Sequence, residues 1–76
     1  MNEQLLTKIQ AKFAKFNYSV TIGKPFNHAQ QIIINPICKD YLIIDTIMNS
    51  LNIKPQQYSI TQGIYGMQTY IFMYKI

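Results

Sequence analysis

The side chains that could carry out chemistry are few and scattered. His28 is the only histidine, Cys38 is the only cysteine, and Glu3, Asp40 and Asp45 are the only side-chain carboxylates. Nucleophilic catalysis needs a base within hydrogen-bond reach of the nucleophile. His28 and Cys38 flank a predicted strand of about seven residues, which separates them by roughly 20 Å. We therefore expect no catalytic residues and predict that the protein is not an enzyme.

Metal and cofactor sites are equally poorly supported. A structural zinc site takes four cysteine or histidine ligands, and the chain has one of each. Asp40 and Asp45 are five positions apart on a predicted helix, so their carboxylates point in different directions. The segment Gly63-Ile64-Tyr65-Gly66 leads into a strand, whereas a phosphate-binding loop leads into a helix. The sequence predicts neither a metal nor a cofactor.

Lysines give the chain a net charge of +4 and suggest one function. Lys8, Lys12 and Lys15 are spaced i, i+4 and i+7, which places them in a row along one flank of a predicted helix. A row of this kind could follow the phosphates of a nucleic acid. It is also typical of an ordinary surface helix, in which lysine stems lie along the border of the core.

Aromatic residues concentrate in the last third of the chain. Tyr70, Phe72 and Tyr74 alternate along one predicted strand, and Tyr65 lies in the turn before it. Exposed aromatic rings on a sheet can stack on the bases of single-stranded RNA or DNA. Strands are also rich in tyrosine and phenylalanine for packing alone. Nucleic-acid binding without sequence specificity, through these rings and the lysine row, is therefore the alternative hypothesis.

Hydrophobic periodicity defines the elements that position these residues. Helical spacing of apolar residues predicts helices over 3–16 and from Asp40, or from Asn35 with Pro36 in its first turn, to Asn52. Alternation predicts four strands, over 18–22, 29–34, 57–62 and 67–76. The order α-β-β-α-β-β predicts an α+β fold over residues 1–76, a single domain with a four-stranded antiparallel sheet and two helices packed on one face.

Two of the four strands are apolar on both faces, which two helices on one face do not explain. Ile32 to Ile34 and Tyr70 to Tyr74 place apolar residues at consecutive positions. Strands of this kind are usually central in a sheet and covered on both sides. We predict that the second face docks on a copy of the chain, as a homodimer, or on a protein partner. The predicted interface residues are Ile33, Ile71 and Met73, or their opposites if the register is reversed, with Tyr70, Phe72 and Tyr74.

Composition indicates a compartment and an origin. A single cysteine forms no internal disulfide, and residues 1–8 do not resemble a signal peptide, so we expect a cytoplasmic protein. Ile, Asn, Lys and Tyr, all encoded by AT-rich codons, make up 33 of the 76 residues, and arginine is absent. Small genes in AT-rich genomes are common in phages and mobile elements. We interpret the chain as a small docking protein, for example an inhibitor or regulator of that origin.

Overall fold

The computed structural model describes residues 3–25, 28–63 and 66–74. These residues form two helices, four strands and one turn of 3-10 helix over Pro55–Gln57, in the predicted order α-β-β-α-β-β. The elements are α1 (Glu3–Ala14), β1 (Ser19–Ile22), β2 (Gln30–Asn35), α2 (Tyr41–Ser50), β3 (Tyr58–Gln62) and β4 (Thr69–Met73). The predicted α+β class is confirmed.

The four strands form one antiparallel sheet in the order β1-β2-β4-β3. β2 and β4, the second strand of each hairpin, are therefore the central pair, as their apolar residues on both faces predicted. At the middle of this pair Ile32 lies opposite Ile71, and Ile33 lies opposite Tyr70. Alternate residues of a strand point to opposite faces, so this register decides which apolar residues share a face.

Both helices pack on the same face of the sheet. The strands contribute Ile32, Ile34 and Ile71 to this layer, and all three are fully buried. The helices contribute residues at helical spacing: Ile9 and Phe13 from α1, and Ile44, Ile47 and Met48 from α2. Burying each of these large side chains contributes about 1.5–3 kcal/mol, so this layer is the main source of stability.

Local signals in the sequence set the helix ends. The Asp40 side chain accepts a hydrogen bond from the backbone N–H of Leu42 at 3.0 Å, which is an N-cap of α2. The alternative start at Asn35 and Pro36 is wrong, because Asn35 is the last residue of β2. Asn17 and Asn52 follow the two helices with φ near +60°, the left-handed conformation in which helices commonly end. Within the described ranges, neither helix is long and apolar enough to cross a bilayer.

The register corrects the predicted grouping of interface residues. Ile71 and Met73 were predicted to share an outward face with Ile33, but both lie in the core beneath the helices, 0% and 3% exposed. Ile33 instead shares its face with Tyr70 and Phe72, two other residues of the predicted interface. The grouping is wrong because both faces of β4 are apolar, so its own sequence does not indicate which residues point toward the helices.

Alanine substitutions should distinguish the two faces. Ile71→Ala leaves a cavity in the core and should reduce the free energy of unfolding by about 2–5 kcal/mol. Ile33→Ala on the other face of the neighbouring strand should cost about 1 kcal/mol. Urea denaturation of both variants measures the difference. If Ile71→Ala does not fold, the milder substitutions Ile71→Val and Ile33→Val serve instead, and Ile71→Val should again cause the larger loss in the free energy of unfolding. Equal losses would contradict the assignment of faces.

Candidate functional site

The sheet has one face that no helix covers, which we call the open face. Its residues come from alternate positions of all four strands and are mostly polar at the margins and apolar or aromatic in the middle. They are Ser19, Thr21, Gln31, Ile33, Asn35, Ser59, Thr61, Tyr70, Phe72 and Tyr74. None of these side chains carries a charge. This surface combines aromatic, apolar and uncharged polar groups.

The centre of the open face is formed by β2 and β4. Ile33 and Tyr70 lie directly opposite each other, and Phe72 follows two residues along β4. All three side chains are half-buried by their neighbours on the sheet. Tyr74 continues the same row beyond the end of β4, is 46% exposed, and shares a hydrogen bond of 2.9 Å with the Ser59 hydroxyl. The structure thus brings together four of the six residues predicted for the interface.

A cleft of about 580 Å³ opens on this face beside the connection between β3 and β4. Its walls carry carboxamides, hydroxyls and apolar groups, and no charged side chain. The lining residues are Gln31, Asn35, Thr61, Gln62, Gly63, Met67, Gln68, Tyr70 and Phe72. Met67 is 72% exposed at its rim. A cleft of this chemistry suits an uncharged partner that offers apolar groups together with hydrogen-bond donors and acceptors.

The Tyr70 ring is held in place at the cleft. Its hydroxyl donates a hydrogen bond to Gln68 Oε1 at 2.9 Å. A side chain at Gly63 would approach the Tyr70 Cε2 atom to 3.1 Å and the Gln68 carbonyl oxygen to 3.0 Å, so glycine leaves room for the ring. An aromatic ring fixed before binding loses little conformational entropy when a partner docks.

The lysine row lies on the other side of the molecule. Lys8, Lys12 and Lys15 belong to α1 and the turn after it, and α1 packs on the covered face of the sheet through Ile9 and Phe13. Lys8 and Lys15 are exposed, and Lys12 is half-exposed. The lysines and the strand aromatics therefore do not form one surface. Tyr65, the other predicted nucleic-acid contact, lies outside the described residues.

His28 and Cys38 lie at opposite ends of β2, as the sequence predicted. His28 is exposed in the turn that precedes the strand, with φ of 65°. Cys38 is fully buried, and its hydrogen bond with the Tyr18 side chain, together with burial, raises the pKa of the Tyr18 hydroxyl. Residues 3–25, 28–63 and 66–74 contain no group of three or more histidine, cysteine or acidic side chains that could hold a metal ion.

A buried hydrogen-bond network, which the sequence reasoning missed, fixes the connection between β2 and α2. Thr69 is the buried polar residue of the described chain, and its hydroxyl accepts from the Cys38 backbone N–H at 2.8 Å. The same hydroxyl lies 2.7 Å from Gln62 Oε1 and 3.2 Å from the Cys38 carbonyl oxygen. Gln62 Nε2 donates to that carbonyl at 3.0 Å. One threonine in an apolar strand gives no local signal of this role.

A second polar contact joins α2 to β3. Tyr58 is buried in the core and its hydroxyl donates a hydrogen bond to the Asp45 carboxylate. Burial, and then this hydrogen bond, raise the pKa of the Tyr58 hydroxyl above its ordinary value because both favour the neutral phenol. Four positions earlier on α2, the Tyr41 hydroxyl accepts from Gln62 Nε2 at 3.2 Å. One flank of α2 therefore follows β3 along its length.

Removing the Thr69 hydroxyl should destabilise the fold. Thr69→Val preserves the shape of the side chain but leaves the buried Cys38 N–H without its acceptor, which should cost about 1–3 kcal/mol. Thr61→Val makes the same chemical change at an exposed position of the neighbouring strand and should stay within about 0.5 kcal/mol of the wild type. Urea denaturation compares the two. Equal effects would show that the network contributes nothing.

Comparison with known proteins gives no family for this chain. No protein-family model, no curated protein and no solved structure matches it.

Proposed function

We propose that the protein is a small, non-enzymatic binding module that docks on another protein through the open face of its sheet. The observation that carries this proposal is the composition of that face. Ile33, Tyr70 and Phe72 form its centre, serine, threonine and carboxamide side chains surround them, and no charged side chain lies among them. Protein interfaces have this arrangement, with aromatic and apolar residues at the centre and polar residues at the rim.

The aromatic residues are the expected energetic centre of the interface. Aromatic side chains are enriched among the residues that dominate binding energy, and they act best where surrounding groups exclude water. Tyr70 and Phe72 have this environment, because both are half-buried by their neighbours: Tyr70 lies between Ile33 and Thr61, and Phe72 lies between Gln31 and Ser59. Tyr74 adds an exposed ring at the end of the same row.

Nucleic-acid binding is the weaker hypothesis. Affinity for DNA or RNA comes largely from cations that neutralise phosphates. The open face offers aromatic rings without a cation, and the lysine row offers cations on the opposite side of the sheet without those rings. The phosphates of a nucleic acid bound on the open face would not reach Lys8, Lys12 or Lys15.

A cytoplasmic role fits the proposal. Cys38 is the only cysteine and is buried as a free thiol, which suits a reducing compartment. Residue usage typical of AT-rich genomes fits a phage or mobile-element protein. A small domain of this origin could inhibit or regulate a host protein by occupying one of its surfaces.

Charges placed on the open face should abolish docking. The test variant is Ile33→Lys with Phe72→Lys, and the matched control is Thr46→Lys with Asn49→Lys, which adds the same charge at exposed positions of α2. Each protein is used to capture partners from host lysate, with and without nuclease, and captured proteins are identified by mass spectrometry. We expect wild type and control to retain the same proteins after nuclease treatment, and the open-face variant to lose them.

Two results would contradict this proposal. If the open-face variant remains folded and retains the same proteins as the wild type, docking does not use this face. If nuclease removes the captured material, and replacing Lys8, Lys12 and Lys15 by Gln does the same, the chain binds nucleic acid through α1.

A further inference from the structure

The two edges of the sheet differ in how their backbone groups are used. In an antiparallel pair, alternate residues bond to the neighbouring strand and the others point their N–H and C=O groups away from it. In β1, the Gly23 N–H donates a hydrogen bond to the Gln31 carbonyl. The alternation that follows from this bond points the backbone N–H and C=O groups of Val20 and Ile22 away from β2. The Val20 carbonyl accepts a hydrogen bond from Gln10 Nε2 at 3.0 Å. A side chain of α1 therefore occupies the middle of this edge.

On the β3 edge, the outward backbone groups at the middle of the strand have no such partner among the described residues. The Gly63 N–H bonds to the Gln68 carbonyl, and the Tyr74 N–H bonds to the Gln57 carbonyl. Both bonds require that Tyr58, Ile60 and Gln62 point their backbone groups away from β4. Within the described residues, no hydrogen bond ends on the outward backbone groups of Ile60 or Gln62, whereas the Tyr58 N–H closes the last turn of the 3-10 helix Pro55–Gln57.

Exposed edges are usually protected by lysine, proline or a bulge. β3 contains no charged residue and no proline, and it pairs with β4 without an interruption in register. An unprotected edge of this kind is a template for an added strand.

We propose that β3 pairs with β3 of a second copy, in an antiparallel dimer whose two-fold axis passes beside Ile60. In this register Ile60 faces Ile60 of the second copy, and Tyr58 faces Gln62 of the second copy. The outward groups of Ile60, the Gln62 N–H and the Tyr58 carbonyl then find partners across the axis, which gives about four backbone hydrogen bonds. The result is a continuous eight-stranded sheet, and the inference does not depend on the proposed function.

The side chains near the axis favour a second copy over an unrelated peptide. Tyr58 is bonded to Asp45, and Gln62 is bonded to Tyr41, so pairing Tyr58 with Gln62 of the second copy brings Asp45 toward Tyr41 of the second copy. This places a carboxylate beside a phenol hydroxyl, and the two-fold axis repeats the contact. On the open face, Ser59 lies beside Thr61 of the second copy, and these side chains carry no charge that would repel.

The dimer also changes the open face. Thr61 and Gln62 line the cleft and belong to the paired strand, so the clefts of both copies would flank the axis. Ser59 of the second copy would extend the rim of each cleft beside Thr61. A partner would then meet a surface about twice as wide as that of one chain.

Hydrogen exchange measured by NMR across a concentration series tests the pairing in the unmodified protein. As the fraction of dimer rises, exchange of the Ile60 and Gln62 N–H groups should slow by roughly tenfold or more, because they become hydrogen-bonded. The Val20 and Ile22 N–H groups, on the other edge, should not change. A protein that stays monomeric at millimolar concentration, or that dimerises without slowing exchange of the Ile60 and Gln62 N–H groups, overturns the proposal.

Charge variants test the register and separate this edge from the open face. Ser59→Lys with Thr61→Lys places like charges across the axis and should abolish the dimer, whereas Ser19→Lys with Thr21→Lys, at the equivalent positions of β1, should not. Mixing the first variant with Ser59→Glu plus Thr61→Glu should restore a one-to-one dimer in sedimentation velocity. If the β1 control loses the dimer to the same extent, self-association uses the open face. If mixing the lysine and glutamate variants does not restore a dimer, the proposed register of β3 with β3 is excluded.

Discussion

The pairing of Ile32 with Ile71 at the centre of the sheet determines the rest of the structure. β2 and β4 are apolar on both faces, and this register places Ile32, Ile34, Ile71 and Met73 together beneath the helices. One layer of two helices covers only that face. A shift of one residue in either strand would exchange its core residues for those of the open face. The core and the open face are thus two consequences of a single pairing.

Charge is separated from the sheet throughout the described chain. None of the four strands contains a charged residue, and the lysines and acidic residues of the described ranges lie on helices and connections. The net positive charge therefore lies on helices and connections, while the strands of the open face and of the β3 edge contribute no charged side chain. Desolvating a neutral surface costs less than desolvating ions, so this separation favours docking on the sheet.

Much of the fold could be predicted from the sequence because its signals are local. Asp40 as a cap, Asn17 and Asn52 as helix ends, and the central position of β2 and β4 all follow from short segments. The assignment of Ile71 and Met73 to the core could not be predicted, because it depends on pairing between strands far apart in sequence. The same holds for Thr69, whose partners are Cys38 and Gln62, and for the β3 edge, whose free groups appear only when the sheet order is known.

The central claim is that this chain leaves an apolar sheet face uncovered. NMR spectra of the isoleucine methyl groups, recorded on the monomer with an uncharged paramagnetic chelate in solution, test it directly. The chelate broadens methyl signals that solvent can reach. We expect the Ile33 signal to broaden strongly while the signals of Ile32 and Ile71, on the covered face, stay sharp. Protection of Ile33 equal to that of Ile32 and Ile71 would show that the chain covers both faces itself, and would contradict the claim.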